Sequence, residues 1–130
     1  MKVFIDHNLP PALARGLGAL FAGEHEVTCH KDKFGTTHIK DEEWIPALGA
    51  EGDWVVLSGD LNIPKKRPTR ELFLRAGLVG FFPRKAVMEL PLNRKASRVL
   101  YVWQQMEELS RTVRPGAFEL QIRGEKFSTL

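Results

Sequence analysis

Cysteine is almost missing from this chain: Cys29 stands alone among 130 residues, so no internal disulfide can hold the fold, which suits a reducing compartment. Long apolar runs are missing too. No stretch approaches the roughly 20 residues a membrane-spanning helix needs, and the opening residues read as a strand, not as a secretory leader; a cytoplasmic protein with no membrane segment is expected. Internal repeats and low-complexity segments are also absent. Apolar residues are present at 43%, enough for one core, and residues 1–130 are read as a single domain.

The net charge of +3 conceals two unlike halves. Residues 1–60 hold five Lys/Arg against ten Asp/Glu, whereas residues 61–130 hold fourteen against six. Charged helix faces alone can produce such numbers. A sharper reading gathers the acids of the first half around a cation and lets the basic half face a polyanion such as RNA or DNA.

Apolar strand-like segments alternate with helical ones, which predicts an α/β fold with a mainly parallel sheet between helices. Lys2 to Ile5 reads as a buried first strand, Pro11 to about Phe21 as a helix, and Glu26 to Cys29 as a second strand. His30 to Lys40 reads as a loop, followed by a helix from Asp41, where three acids suit the positive end of the helix dipole. Asp53 to Leu57 is the third strand, Leu61 to Pro68 a loop, and Thr69 the cap of a further helix with Glu71 in its first turn. Leu78 to Phe82 is the fourth strand. Asn93 to about Val113 reads as one long helix, because Val99, Val102, Trp103, Met106, Leu109 and Val113 recur at spacings of three and four. Phe118, Leu120 and Ile122 alternate with polar residues, the pattern of a half-exposed edge strand.

Two of these strands run straight into an aspartate, Asp6 after the first and Asp60 just beyond the third. Right-handed crossovers put both at the carboxyl edge of the sheet, and the helix beginning at Asp41 starts from the same side. Carboxylates gathered there repel one another unless a cation neutralises them, and an all-oxygen site suits Mg²⁺ or Mn²⁺. Such a site suits phosphodiester hydrolysis. Lys65, Lys66, Arg67 and Arg70 follow Asp60 closely and are the candidate contacts to a nucleic-acid backbone. Each element also has a plainer role: Asp6 as a helix cap, the Asp41-Glu42-Glu43 run as dipole charge, and the lysines as a solvated loop.

The ordered phrases Phe4-Ile5-Asp6-His7-Asn8-Leu9-Pro10, Asp41-Glu42-Glu43-Trp44-Ile45 and Val56-Leu57-Ser58-Gly59-Asp60-Leu61-Asn62 resemble the PIN-like nuclease superfamily over roughly the first 80 residues. The nearest likeness is to its small branch, typified by toxins of the virulence-associated-protein C kind. The resemblance implies a three-layer PIN-like fold and a Mg²⁺- or Mn²⁺-dependent ribonuclease paired with an antitoxin. It makes Asp6 the first acidic ligand, Asp60 the third, and either Asp41 or Glu42 the second. Relatives often carry another acid where Asn62 stands and one where His7 stands. Those departures leave a second reading open, a PIN-like module that binds RNA or a protein without cutting.

Other assignments fit less well. A phosphoacceptor receiver needs a pair of acids after its first strand, and here Asp6 is followed by His7. Structural zinc on His25, Cys29, His30 and His38 is disfavoured because Cys29 and His30, as strand neighbours, point to opposite faces; the histidines read as surface or loop residues. A homodimer is also open, with Phe81, Phe82 and the final strand as its interface.

Overall fold

A computed structural model describes all 130 residues. The strands are β1 (Lys2–Ile5), β2 (Glu26–Cys29), β3 (Trp54–Leu57), β4 (Val79–Pro83), β5 (Gly116–Leu120) and β6 (Phe127–Thr129). They form one sheet in the order β2-β1-β3-β4-β5-β6, parallel throughout except for the antiparallel β5/β6 pair. The helices are α1 (Pro11–Leu20), α2 (His30–Phe34), α3 (Asp41–Glu51), α4 (Asn62–Lys65), α5 (Arg67–Arg75), α6 (Lys85–Met88), α7 (Leu92–Tyr101) and α8 (Trp103–Thr112).

Alternation along each strand divides the apolar residues between two layers of helices. Val3, Ile5, Val55, Leu57 and Phe81 pack on one face with α1, α7 and α8. Phe4, Val56 and Phe82 pack on the other with Trp44 and Leu48 of α3, Ile63 of α4 and Phe73 of α5. Both faces are covered, which is why the central strands are apolar at nearly every position. The α3 helix lies so close to the end of α5 that a Cβ on Gly49 would sit 2.8 Å from the Ala76 Cβ and from its carbonyl oxygen. The order of the first three strands matters most for function. From β1 the chain moves one way to β2 and the other way to β3, so the crevice at their carboxyl ends is a topological switch point, where open α/β sheets bind ligands.

Several expectations need correction. His30 to Lys40 is not all loop: His30–Phe34 forms α2, closed by Gly35 at φ 76, a left-handed angle that glycine adopts without steric cost. Thr69 caps nothing, because α5 begins at Arg67 with Pro68 in its first turn. The expected long helix is two, α7 and α8, broken at Val102 (φ −102, ψ 9). The break falls within Tyr101-Val102-Trp103, consecutive aromatic and β-branched residues that lose side-chain freedom in a helix. The strand around Phe118 is not at the edge: β5 lies between β4 and β6, and Ala117 is buried along with Phe118 and Leu120. Phe81 and Phe82 are completely buried, so neither offers a dimer surface.

Candidate active site

Registry builds the centre of this site. The last paired rung of the three neighbouring strands is Cys29, Ile5 and Leu57. One residue further stand His30, Asp6 and Ser58, side by side on a rung that is entirely polar. Phe4 lies two residues below Asp6 and Val56 two below Ser58, so this polar rung has an apolar floor. All three of its members are buried, at 1%, 2% and 0% exposure.

Buried polar groups need partners, and Asp6 has four. Its Oδ1 accepts from the His7 backbone N–H at 2.7 Å and lies 2.9 Å from His7 Nδ1 and 2.7 Å from His30 Nε2. The Ser58 hydroxyl donates to Oδ2 at 2.7 Å. An ionised carboxylate only accepts, so His30 carries its proton on Nε2. Burial alone would raise the Asp6 carboxyl; the hydrogen bonds from His30 and Ser58, with the charge of His30 and the His7 N–H, outweigh it and hold the group below its ordinary value. Asp6 is not a helix cap, since α1 begins only at Pro11 and has no side-chain cap.

Ser58 also links Asp6 to Asp60. The Asp60 backbone N–H donates to Ser58 Oγ at 3.0 Å, and Asp60 Oδ1 accepts from the Asn62 N–H at 3.0 Å. Asn8 adds a brace across the crevice, its side-chain oxygen accepting from the Gly59 N–H at 3.1 Å. Asp41 opens α3, and its Oδ1 accepts from Trp44 Nε1 at 2.9 Å. Its carboxyl is raised, first by burial and then by the negative charges of Asp6, Asp60 and Glu42, against the opposing Trp44 bond. Asp41 therefore stands in the field of both strand-end acids, while Glu42 is exposed on the same first turn.

Asp6, His7 and His30 bring potential ligand atoms within 4.8 Å of one another, although His30 Nε2 is already committed as a donor to Asp6; Asp41 and Asp60 do not join that cluster. The Asp41 carboxyl is raised first by its burial and only then by the negative charges of Asp6, Asp60 and Glu42. Imidazole nitrogen beside carboxylate oxygen is a mixed donor set, accepted by Mn²⁺ and its transition-metal neighbours as well as by oxygen-preferring ions.

The basic residues after Asp60 separate into two kinds. Lys65, Lys66 and Arg67 are exposed, and Arg67 pairs with Glu71 at 3.0 Å. Arg70 is turned inward, donating to the Pro64 carbonyl at 3.0 Å and to the Leu130 carbonyl at 2.9 Å, so its guanidinium holds α4 and the chain end in place. His30 is a correction: it is neither a surface nor a loop residue but part of the buried polar rung. It packs edge-on to Phe4 and Trp44, at centroid distances of 4.7 Å and 5.3 Å. The signal for it was available, since β2, like β1, runs directly into a polar residue. The other members of the imagined zinc set are scattered; His25 lies against the amino terminus at 2.9 Å.

Residues 1–85 match the family described as PIN like domain. The chain belongs to that family. The matched span of this PIN-like domain contains every residue of the crevice, from Asp6 through His30 and Asp41 to Asp60, and ends before α7. PIN-like domains are often nucleases, and the crevice of this one holds a cluster of aspartate and histidine side chains. No curated protein and no solved structure matches the chain. No helix is long and apolar enough to cross a membrane.

Proposed function

We propose that this PIN-like domain is a metal-dependent endoribonuclease, the toxin of a toxin–antitoxin pair, which hydrolyses RNA phosphodiester bonds in the crevice between β1 and β3. What supports the reading is that Asp6 and Asp60 follow the neighbouring strands β1 and β3 and share the Ser58 hydroxyl, while Asp41 opens α3 with a carboxyl raised first by burial and then by their negative charge. Asp6, Asp41 and Asp60 would hold Mg²⁺ or Mn²⁺, with Glu42 as the alternative second acid and His7 within reach. A bound ion supplies a more acidic water and neutralises charge developing on the phosphoryl oxygens.

The protein's own contribution is preorganisation. Ser58 accepts from the Asp60 N–H and donates to Asp6, so one hydroxyl sets the spacing of two acids. His30 fixes the remaining face of the Asp6 carboxylate from inside the apolar layer. Lys65, Lys66 and Arg67 would offer exposed cations to the RNA backbone from α4 and the start of α5, with Arg70 bracing α4 through the Pro64 carbonyl.

The decisive experiment incubates the purified chain, free of any antitoxin, with single-stranded RNA and Mg²⁺ or Mn²⁺. Wild type should cleave, and Asp60→Asn should lose at least a hundredfold in rate while keeping its fold. If wild type cuts no RNA with either ion, and Asp6→Asn and Asp60→Asn leave the toxicity of the expressed protein unchanged, the ribonuclease reading is wrong. The second reading, a binding module that does not cut, draws on Asn62 in place of an acid and on the full set of partners already held by Asp6 Oδ1.

A further inference from the structure

A second concave surface lies on the same edge of the sheet, outside the span matched by the family. It is a groove of about 640 Å³ between α7 and the segment that leaves β5, and its lining includes Arg94, Ser97, Arg98, Tyr101 and Arg123. No acidic residue lines it. Arg94, Arg98 and Arg123 form no ion pair, unlike Arg15, Arg67, Arg84 and Arg111, each of which has a carboxylate partner. Three arginines lining one groove without an acidic neighbour make a surface that attracts a polyanion.

The aromatic member makes the groove more specific. Tyr101 is the only tyrosine in the chain and is 59% exposed, although burying it would gain apolar contact. The Arg98 guanidinium lies 5.2 Å from its ring centroid, donates through Nη2 to the Gly124 carbonyl, and leaves its own Nε buried with no partner. A planar cation held against an exposed ring is a preformed stacking platform. An acidic peptide would satisfy the arginines but has no need of the ring, whereas a nucleotide uses both.

Position links the groove to the crevice. Arg123 lies beyond the carboxyl end of β5, and β5 is parallel to β1, β3 and β4, so the groove opens on the edge that carries Asp6 and Asp60. Two strand spacings, about 10 Å, separate β3 from β5 along that edge, and α7 packs on the face of the sheet opposite Phe4 and Trp44, so one RNA strand would reach both sites by crossing the carboxyl edge. The segment between them runs through α6, whose Met88 packs against Gly59 at the crevice.

We propose that this groove is a second grip on single-stranded RNA, with Arg94, Arg98 and Arg123 taking backbone phosphates and Tyr101 stacking a base of the strand that runs from the acidic crevice. The assignment rests on the ribonuclease reading, and binding is therefore measured apart from cutting. The Asp60→Asn chain is titrated into a fluorescein-labelled oligouridylate of twelve nucleotides, and anisotropy is followed from low to high salt. Arg94→Ala with Arg123→Ala should weaken binding at least tenfold and lower the slope of log affinity against log salt by about 1.4, two phosphates at about 0.7 each. Tyr101→Ala should weaken it about tenfold with the slope unchanged, and Tyr101→Phe should restore it.

Arg94, Arg123 and Tyr101 are exposed, so these variants keep the fold, which a thermal melt verifies. Unchanged affinity and slope in the arginine pair, or equal affinity in Tyr101→Ala, overturns the proposal. So does competition by polyglutamate as strong as that by RNA. Groove-dependent binding by a wild type that never cuts would leave the grip standing and remove the nuclease; cutting with no groove dependence does the reverse.

Discussion

Replacing His30 by leucine tests the buried polar rung directly. The substitution removes the donor 2.7 Å from Asp6 Oδ1 at a site where both side chains are almost fully buried. Hydrogen bonds to charged groups contribute about 1.5–3 kcal/mol. Leucine is close to histidine in volume and suits the surrounding Phe4, Phe34 and Trp44 rings, which returns part of that loss. The net cost should be about 2 kcal/mol, lowering Tm by roughly 6–10 °C in a chain of this size. His30→Gln keeps an N–H near the end of its side chain and should lose less than half as much.

The pH dependence fixes the cause. His30 and Ser58 hold the Asp6 carboxyl below its ordinary value against the opposing effect of burial, so its folded pKa lies below its unfolded one. That stabilisation is complete above the unfolded value, about 3.9, and is lost as pH falls through the folded value. Thermal melts at pH 7 should therefore separate wild type from His30→Leu, and the gap should close in strong acid, where Asp6 is protonated in both states. A His30→Leu protein that melts within about 1 °C of wild type at pH 7, or a gap that stays the same size however far the pH is lowered, refutes the charge-based account.

Two further expectations concern α3. Asp41→Asn keeps an oxygen for the Trp44 N–H and removes a charge that burial and the neighbouring acids disfavour, so it should stabilise the metal-free protein at pH 7 by on the order of 1 kcal/mol or less. Because the folded pKa of Asp41 is raised, the gain should fade as pH falls through that value and then below the unfolded one; paired melts at pH 7 and pH 3 check it, and destabilisation at pH 7 contradicts it. Gly49→Ala should destabilise by about 1–3 kcal/mol in urea titration, since the new methyl meets the Ala76 backbone at 2.8 Å, even though alanine favours helix; a stabilised variant would show that the two helices part freely.

The strands that position the crevice were readable because their signal is local. Lys2 to Ile5 and Trp54 to Leu57 are apolar runs that end in polar residues, and Glu26 to Cys29 alternates enough to be recognised. The positions of Asp6 and Asp60 just beyond β1 and β3 were readable for the same reason, and so was Asp41 at the start of α3. His30 carried only a weak local signal, the run of β2 into a polar residue, because its burial depends on a registry between strands far apart in the chain. The inward turn of Arg70 depends on a chain end 60 residues away. The division at Val102 was hidden by an apolar stripe that continues through the break, since both helices pack on the same face of the sheet.

The polar rung also ties the acidic crevice to the least protected part of the sheet. The β2 strand is an edge, four residues long, with only Cys29 of its own span buried, yet its continuation delivers His30 to Asp6. Edge elements with few buried contacts are the first to open in local unfolding. Each such opening withdraws one support of the Asp6 carboxylate while β1 and β3 remain paired. Amide exchange along Val27 to His30 is thus a clock for the crevice: the fraction of time β2 is docked sets the fraction of molecules in which Asp6 keeps its His30 support.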